Sequence, residues 1–86
     1  MSEKQISESE LEVDGEISFY EGTPFTGVCV LYFVPESEYG KIEKEFKDGK
    51  QHGLDIKFFK NGKKESEINF LDGKMEGRLN HWDEKG

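Results

Sequence analysis

The stretches Phe46-Lys47-Asp48-Gly49-Lys50-Gln51-His52-Gly53 and Phe70-Leu71-Asp72-Gly73-Lys74-Met75-Glu76-Gly77 agree at five of eight positions and begin 24 residues apart. A period in this range marks a repeat architecture, in which each supersecondary unit buries its apolar face only against its neighbours. The period runs outward from there. Gly53 and Gly77 are each followed nine residues later by Gly62 and Gly86, whereas Gly27 is followed by Gly40 after thirteen, so the first unit carries a four-residue insertion around Pro35-Glu36-Ser37-Glu38. Upstream, Phe19-Tyr20-Glu21-Gly22 followed by Gly27 echoes the same pattern.

Four Asx-Gly pairs, Asp14-Gly15, Asp48-Gly49, Asn61-Gly62 and Asp72-Gly73, predict chain reversals at Gly15, Gly49, Gly62 and Gly73. Such pairs tolerate the positive φ angles of a type I′ turn, whose twist matches that of the flanking strands. Between them the side chains alternate. Leu54, Ile56 and Phe58 fall on one face and Asp55, Lys57 and Phe59 on the other, while Ile42, Lys44 and Phe46 oppose Glu43, Glu45 and Lys47. The chain contains no alanine, the best helix former, while Phe, Tyr, Ile and Val are frequent. The expectation is an all-β, antiparallel meander of hairpin repeats with about seven strands, near 10–13, 16–20, 27–34, 41–47, 53–59, 65–71 and 77–82. Residues 15–86 form one repeat domain in this reading. Residues 1–14 form an acidic segment, partly disordered or serving as a first edge strand.

The strand at 27–34 is apolar on both faces, with Val28, Val30 and Tyr32 opposite Cys29, Leu31 and Phe33, so it is expected to be the most buried. The last unit, with Arg78, Asn80 and Trp82 opposite Leu79, His81 and Asp83, reads as a polar cap.

Charge excludes several function classes. Twelve basic against nineteen acidic residues leave a net charge of −7, and residues 1–16 hold six acids against Lys4 alone. Without a basic stripe there is no counterion-release term for nucleic acid, and acidic lipid surfaces repel the chain. No segment reaches the length of an apolar membrane span, and Met1 to Leu11 lacks the apolar centre of a signal peptide. The expectation is a soluble, cytoplasmic protein, or a secreted or periplasmic one if a leader has been removed. The single cysteine, Cys29, sits between two valines and reads as a buried hydrophobe.

Catalysis finds no constellation. His52 and His81 flank turns, no Gly-x-Ser-x-Gly elbow occurs, Lys50 and Lys74 lack a phosphate-loop pattern, and no ligand set closes a metal site. The paired carboxylates Glu43 and Glu45, and Glu65 and Glu67, read as solvated faces. No enzyme activity, metal or cofactor is therefore expected.

The units Tyr20-Glu-Gly-Thr-Pro-Phe-Thr-Gly27, Phe46 to Gly53 with Phe58-Phe59-Lys-Asn-Gly62, and Phe70 to Gly77 with Trp82 resemble the bacterial variant of the MORN repeat (membrane occupation and recognition nexus), many of whose chains are labelled YwqK-type antitoxins. The resemblance covers about residues 15–86. It implies an elongated sheet of hairpins that binds lipid, dimerises or engages partner proteins. The insertion at 34–39, Asp83 in place of a second aromatic, and the missing basic surface depart from that pattern and weaken the lipid role most.

The leading expectation is thus a non-catalytic protein–protein interaction module, antitoxin-like or an assembly factor. Its contact surface comprises Phe33, Tyr39, Phe59 and Trp82, flanked by Lys57 and Lys60, because aromatics with few rotamers make efficient anchors. A self-associating scaffold and a small-molecule or carbohydrate binder, using Trp82 and Tyr39 as stacking platforms, are the alternatives.

Overall fold

The structure is a computed structural model that describes residues 5–83 and 85. Met1 to Lys4 at the acidic start, and Gly86, the last glycine of the period, lie outside the described residues. The protein is all-β. Strands β1 (Gln5–Ser7), β2 (Leu11–Asp14), β3 (Ile17–Tyr20), β4 (Thr23–Pro24), β5 (Gly27–Tyr32), β6 (Tyr39–Lys47), β7 (Lys50–Phe59), β8 (Lys64–Leu71) and β9 (Lys74–His81) follow one another, with a single 3-10 turn at Glu8–Glu10. The seven expected strands correspond to β2, β3 and β5 to β9.

Two differences correct the expected meander. Among the described residues the strands number nine rather than about seven: β4 is additional, and β1 adds a strand within the 1–14 segment, expected to be partly disordered or a first edge strand. The strands also form two sheets, one of six in the order β1-β5-β6-β7-β8-β9 and one of three in the order β2-β3-β4. Strand β1 pairs in parallel with β5, setting Ile6 beside Cys29, while β5 through β9 are antiparallel throughout. A parallel neighbour cannot be reached by a tight turn. Here the 3-10 turn, β2, β3 and β4 supply the crossover.

The turns explain why β4 escaped notice. Asp48-Gly49 and Asp72-Gly73 have positive φ at both residues, as a type I′ turn requires, but so does Glu21-Gly22, which carries no Asx signal. That third turn folds β4 back on β3, pairing Tyr20 with Thr23. Gly15 and Gly62 also take positive φ, whereas only the glycine of each of those two pairs does so.

The core lies between the two sheets at their N-terminal end. Ile6, Phe25 and Cys29 are buried together, with Leu11, Tyr20 and Phe46 packed against them. The Phe25 ring meets Tyr20 edge-on at 6.0 Å and Phe46 at 5.8 Å. Each such pair adds about 0.5–1.5 kcal/mol beyond area burial. Polar bonds fix the junction as well. The β6–β7 turn inserts beside the small sheet, where Gly49 N donates to Phe25 O at 2.8 Å, Ser18 N to Gly49 O at 2.8 Å, and Asp48 N to Thr26 Oγ1 at 2.9 Å. The body measures 40 × 30 × 28 Å, with the small sheet folded over one end of the larger one.

Burial of β5 is uneven. Cys29 and Val30 are 1% and 3% exposed, yet Tyr32 at the strand's far end is 71% exposed. At the other edge of the sheet every residue of β9 is exposed, including Met75 and Leu79. The last unit is therefore less polar than a cap would be.

Candidate functional site

At the end of the main sheet farthest from the small one, four of the six residues expected to form a contact surface meet in one cluster. Phe33 follows β5, Tyr39 opens β6, and Lys57 and Phe59 close β7. A register shift between Tyr39 and Lys41 sets Tyr39 opposite Phe59. Gly40 lies in that shift, and a Cβ there would stand 3.1 Å from Phe59 O, so glycine lets the two backbones approach. The Tyr39 ring is consequently stacked on Phe59 at 5.8 Å and tilted against Phe33 at 5.5 Å.

Lys57 closes this cluster. Its Nζ lies 3.7 Å from the Tyr39 ring centre and 5.5 Å from that of Phe33. A cation over an aromatic face at this range contributes about 0.5–1 kcal/mol when exposed and more when desolvated. Phe59 is only 7% exposed, so it supports the stack from beneath and does not belong to an exposed surface. The Tyr39 hydroxyl is held above its ordinary phenol pKa, first by its hydrogen bond to the Glu38 carboxylate and further by the negative charges of Glu38 and Glu65.

Lys60 has a different place from the one expected. Its amide donates to Glu38 O at 3.0 Å and its Nζ to Pro35 O at 2.6 Å, so it straps the inserted loop to the β7–β8 turn. Within the loop Ser37 N donates to Val34 O at 3.0 Å and Tyr39 N to Ser37 Oγ at 3.1 Å. This local bonding turns a four-residue insertion into an ordered corner that presents Tyr32 and Val34, 71% and 65% exposed. Neither was among the expected contact residues.

Trp82 reaches the same end of the sheet from β9, its amide donating to Glu65 O at 2.9 Å, and is 38% exposed. Glu65 also approaches His81 Nδ1 at 3.4 Å. His52 lies beside Asp72, 3.8 Å away, at the opposite end of β7. Both histidines thus sit against carboxylates, His81 against Glu65 on the neighbouring strand β8 and His52 against Asp72 in the β8–β9 turn, positions their spacing did not reveal.

At the turn end of the sheet an open cleft of about 720 Å³ is lined by Glu16, Lys50, Leu71, Asp72, Gly73 and Lys74. Its two lysines face two carboxylates, so the lining favours no single sign of ligand charge. Among the described residues no group of three or more His, Cys, Asp and Glu side chains is placed to hold a metal ion, and no helix is long and apolar enough to cross a membrane. Comparison with protein-family models, curated proteins and solved structures gives no match.

Proposed function

We propose that this chain is a non-catalytic protein–protein interaction module whose contact surface is the corner built from the end of β5, the inserted loop and the start of β6. The observation that carries this reading is the bracing of Tyr39. Its ring is fixed by Phe33, Phe59 and Lys57, and at the same end of the sheet Tyr32, closing β5, and Val34, in the loop that Lys60 straps, are exposed. Immobilised apolar and aromatic side chains bind with little further loss of entropy, which is the property of interface anchors. Resemblance of the repeats to the bacterial MORN variant supports an antitoxin-like or assembly role within this class. Affinity purification from the native host tests the reading. A stoichiometric protein partner that is lost from a Tyr32→Ala, Val34→Ser variant supports it, and recovery of no protein at that level removes it.

A second reading, a self-associating scaffold, is favoured by the unpaired outer edge of β9, since an exposed strand edge is a template for another strand.

A further inference from the structure

The two sheets meet over the core and part beyond it. Leu11, Cys29 and Phe46 border the core on one side and an open cleft of about 380 Å³ on the other. Each wall of the cleft is one sheet face. Leu11 and Val13, two residues apart on β2, form one wall with Ser18, which pairs with Val13 across the ladder. Cys29 and Lys44, paired between β5 and β6, form the other with Phe46, two residues further along β6. The lining is therefore mostly apolar around one cation, and the volume falls at the lower end of the range of small-molecule sites. Val13 is an apolar side chain on the inner side of β2, yet it is 70% exposed, because no side chain of the described residues fills the gap before it.

Lys44 is the loosest of the three lysines that pair with a carboxylate among the described residues. Lys41 reaches Glu43 at 2.7 Å and Lys64 reaches Glu67 at 2.6 Å, whereas Lys44 Nζ stands 3.7 Å from Glu8 Oε2, beyond hydrogen-bond range. Asp55, opposite Lys44 on β7, accepts instead from Gln51 Nε2 at 2.9 Å. The Glu8 side chain is 46% exposed on the 3-10 turn, while that of Lys44 is 28% exposed on a strand laddered on both sides. An entering carboxylate can thus send Glu8 into water and close on a cation that is held in place. An entering ammonium would have only the more exposed Glu8 to grip.

We propose that this inter-sheet cleft binds a small monocarboxylate with an apolar body, its carboxylate on Lys44 in the place of Glu8 and its body against Leu11, Val13 and Phe46. A charge-assisted hydrogen bond is about twice as strong as a neutral one, so Lys44 sets the preference for an acid, and the apolar walls set the preference for its body. The site lies away from the Tyr39 corner and stands independently of the contact surface proposed there.

Titration of the full, isotopically labelled chain with hydrocinnamate, followed through its amide NMR signals, tests the proposal. The expected result is a saturable shift at Leu11, Val13, Ser18, Cys29 and Phe46, with a dissociation constant that rises about tenfold in Lys44→Met. In Glu8→Gln, where no carboxylate of the chain competes for Lys44, the dissociation constant should fall. Hydrocinnamyl alcohol has the same body without the charge and should bind about tenfold more weakly. Unchanged circular dichroism would show that each variant keeps the fold, and if Lys44→Met did not, Glu8→Gln and the alcohol would still decide. Shifts that never saturate, or that fall elsewhere on the chain, would overturn the site. Equal affinity for the acid and the alcohol, or no gain in Glu8→Gln, would overturn the exchange at Lys44.

Discussion

The amide of Gly49 donates to the carbonyl of Phe25 at 2.8 Å, and this bond seats the β6–β7 turn inside the junction between the two sheets. The repeat-equivalent bond, from Gly73 to Gln51, has the same length but lies in the open. Gly49 and Gly73 have nearly equal φ of +85° and +86°, so an alanine at either one meets the same left-handed penalty of about 1–2 kcal/mol. Only at Gly49 would the new Cβ also stand 2.5 Å from Ile17 Cγ2 and 3.0 Å from Ser18 O. Gly49→Ala should therefore cost about 1–3 kcal/mol more than Gly73→Ala in urea denaturation. Equal losses would mean that the junction yields freely.

Lys57 tests the aromatic corner. Replacing it with methionine keeps most of the stem and removes the charge above Tyr39, which should lower stability by about 0.5–1 kcal/mol. Lys57→Arg should retain most of the wild-type value, because a guanidinium also stacks on aromatic faces. If methionine and arginine behave alike, the charge over the ring contributes nothing measurable.

Much of this architecture was legible because it is local. The 24-residue period, the alternation from Leu54 to Phe59 and the Asp-Gly turns each act over a few residues, and β5 through β9 follow from them. What escaped depends on distant contacts. Gln5-Ile6-Ser7 has one apolar residue and no alternation to display, and it becomes a strand only because β5 offers a free edge and the core offers Ile6 a place beside Cys29. Glu21 takes positive φ without the side chain that normally signals it. At the corner, the aromatic residues were named from the sequence, but exposure was not readable. Phe59 is covered, and Lys60 is occupied by Pro35 and Glu38, because the insertion folds back over the β7–β8 turn.

Cys29 gives a prediction in pH. Burial, then the negative charge of Glu8, with Lys44 opposing and Glu10 adding a smaller push, raises its thiol from 9.0 to about 11. At pH near 8 the thiolate population should fall about a hundredfold relative to an unperturbed thiol, and alkylation should slow accordingly. The folded state keeps its proton longer than the unfolded one, so this group's contribution to stability is complete below about pH 9.0 and is lost as pH rises towards about 11. Subtracting the pH–stability curve of Cys29→Ala from that of the wild type should isolate this decline. A difference curve flat across that interval would contradict the assignment.

Ile6 decides whether the acidic start belongs to the folded body. It is 6% exposed, packs with Phe25 and Cys29, and lies on a three-residue strand held by parallel pairing with β5. Val13, in the next strand β2, is 70% exposed. Truncating Ile6 to alanine removes buried methyl groups and should cost about 2–3 kcal/mol, whereas Val13→Ala should stay within about 0.5 kcal/mol. Amide exchange supplies an independent readout, since the pairing of Ile6 with Cys29 should protect β1 to nearly the same degree as β5. If both substitutions were equally mild and β1 exchanged like an exposed coil, the first strand would add nothing to the core, and β5 would be the true edge of the sheet.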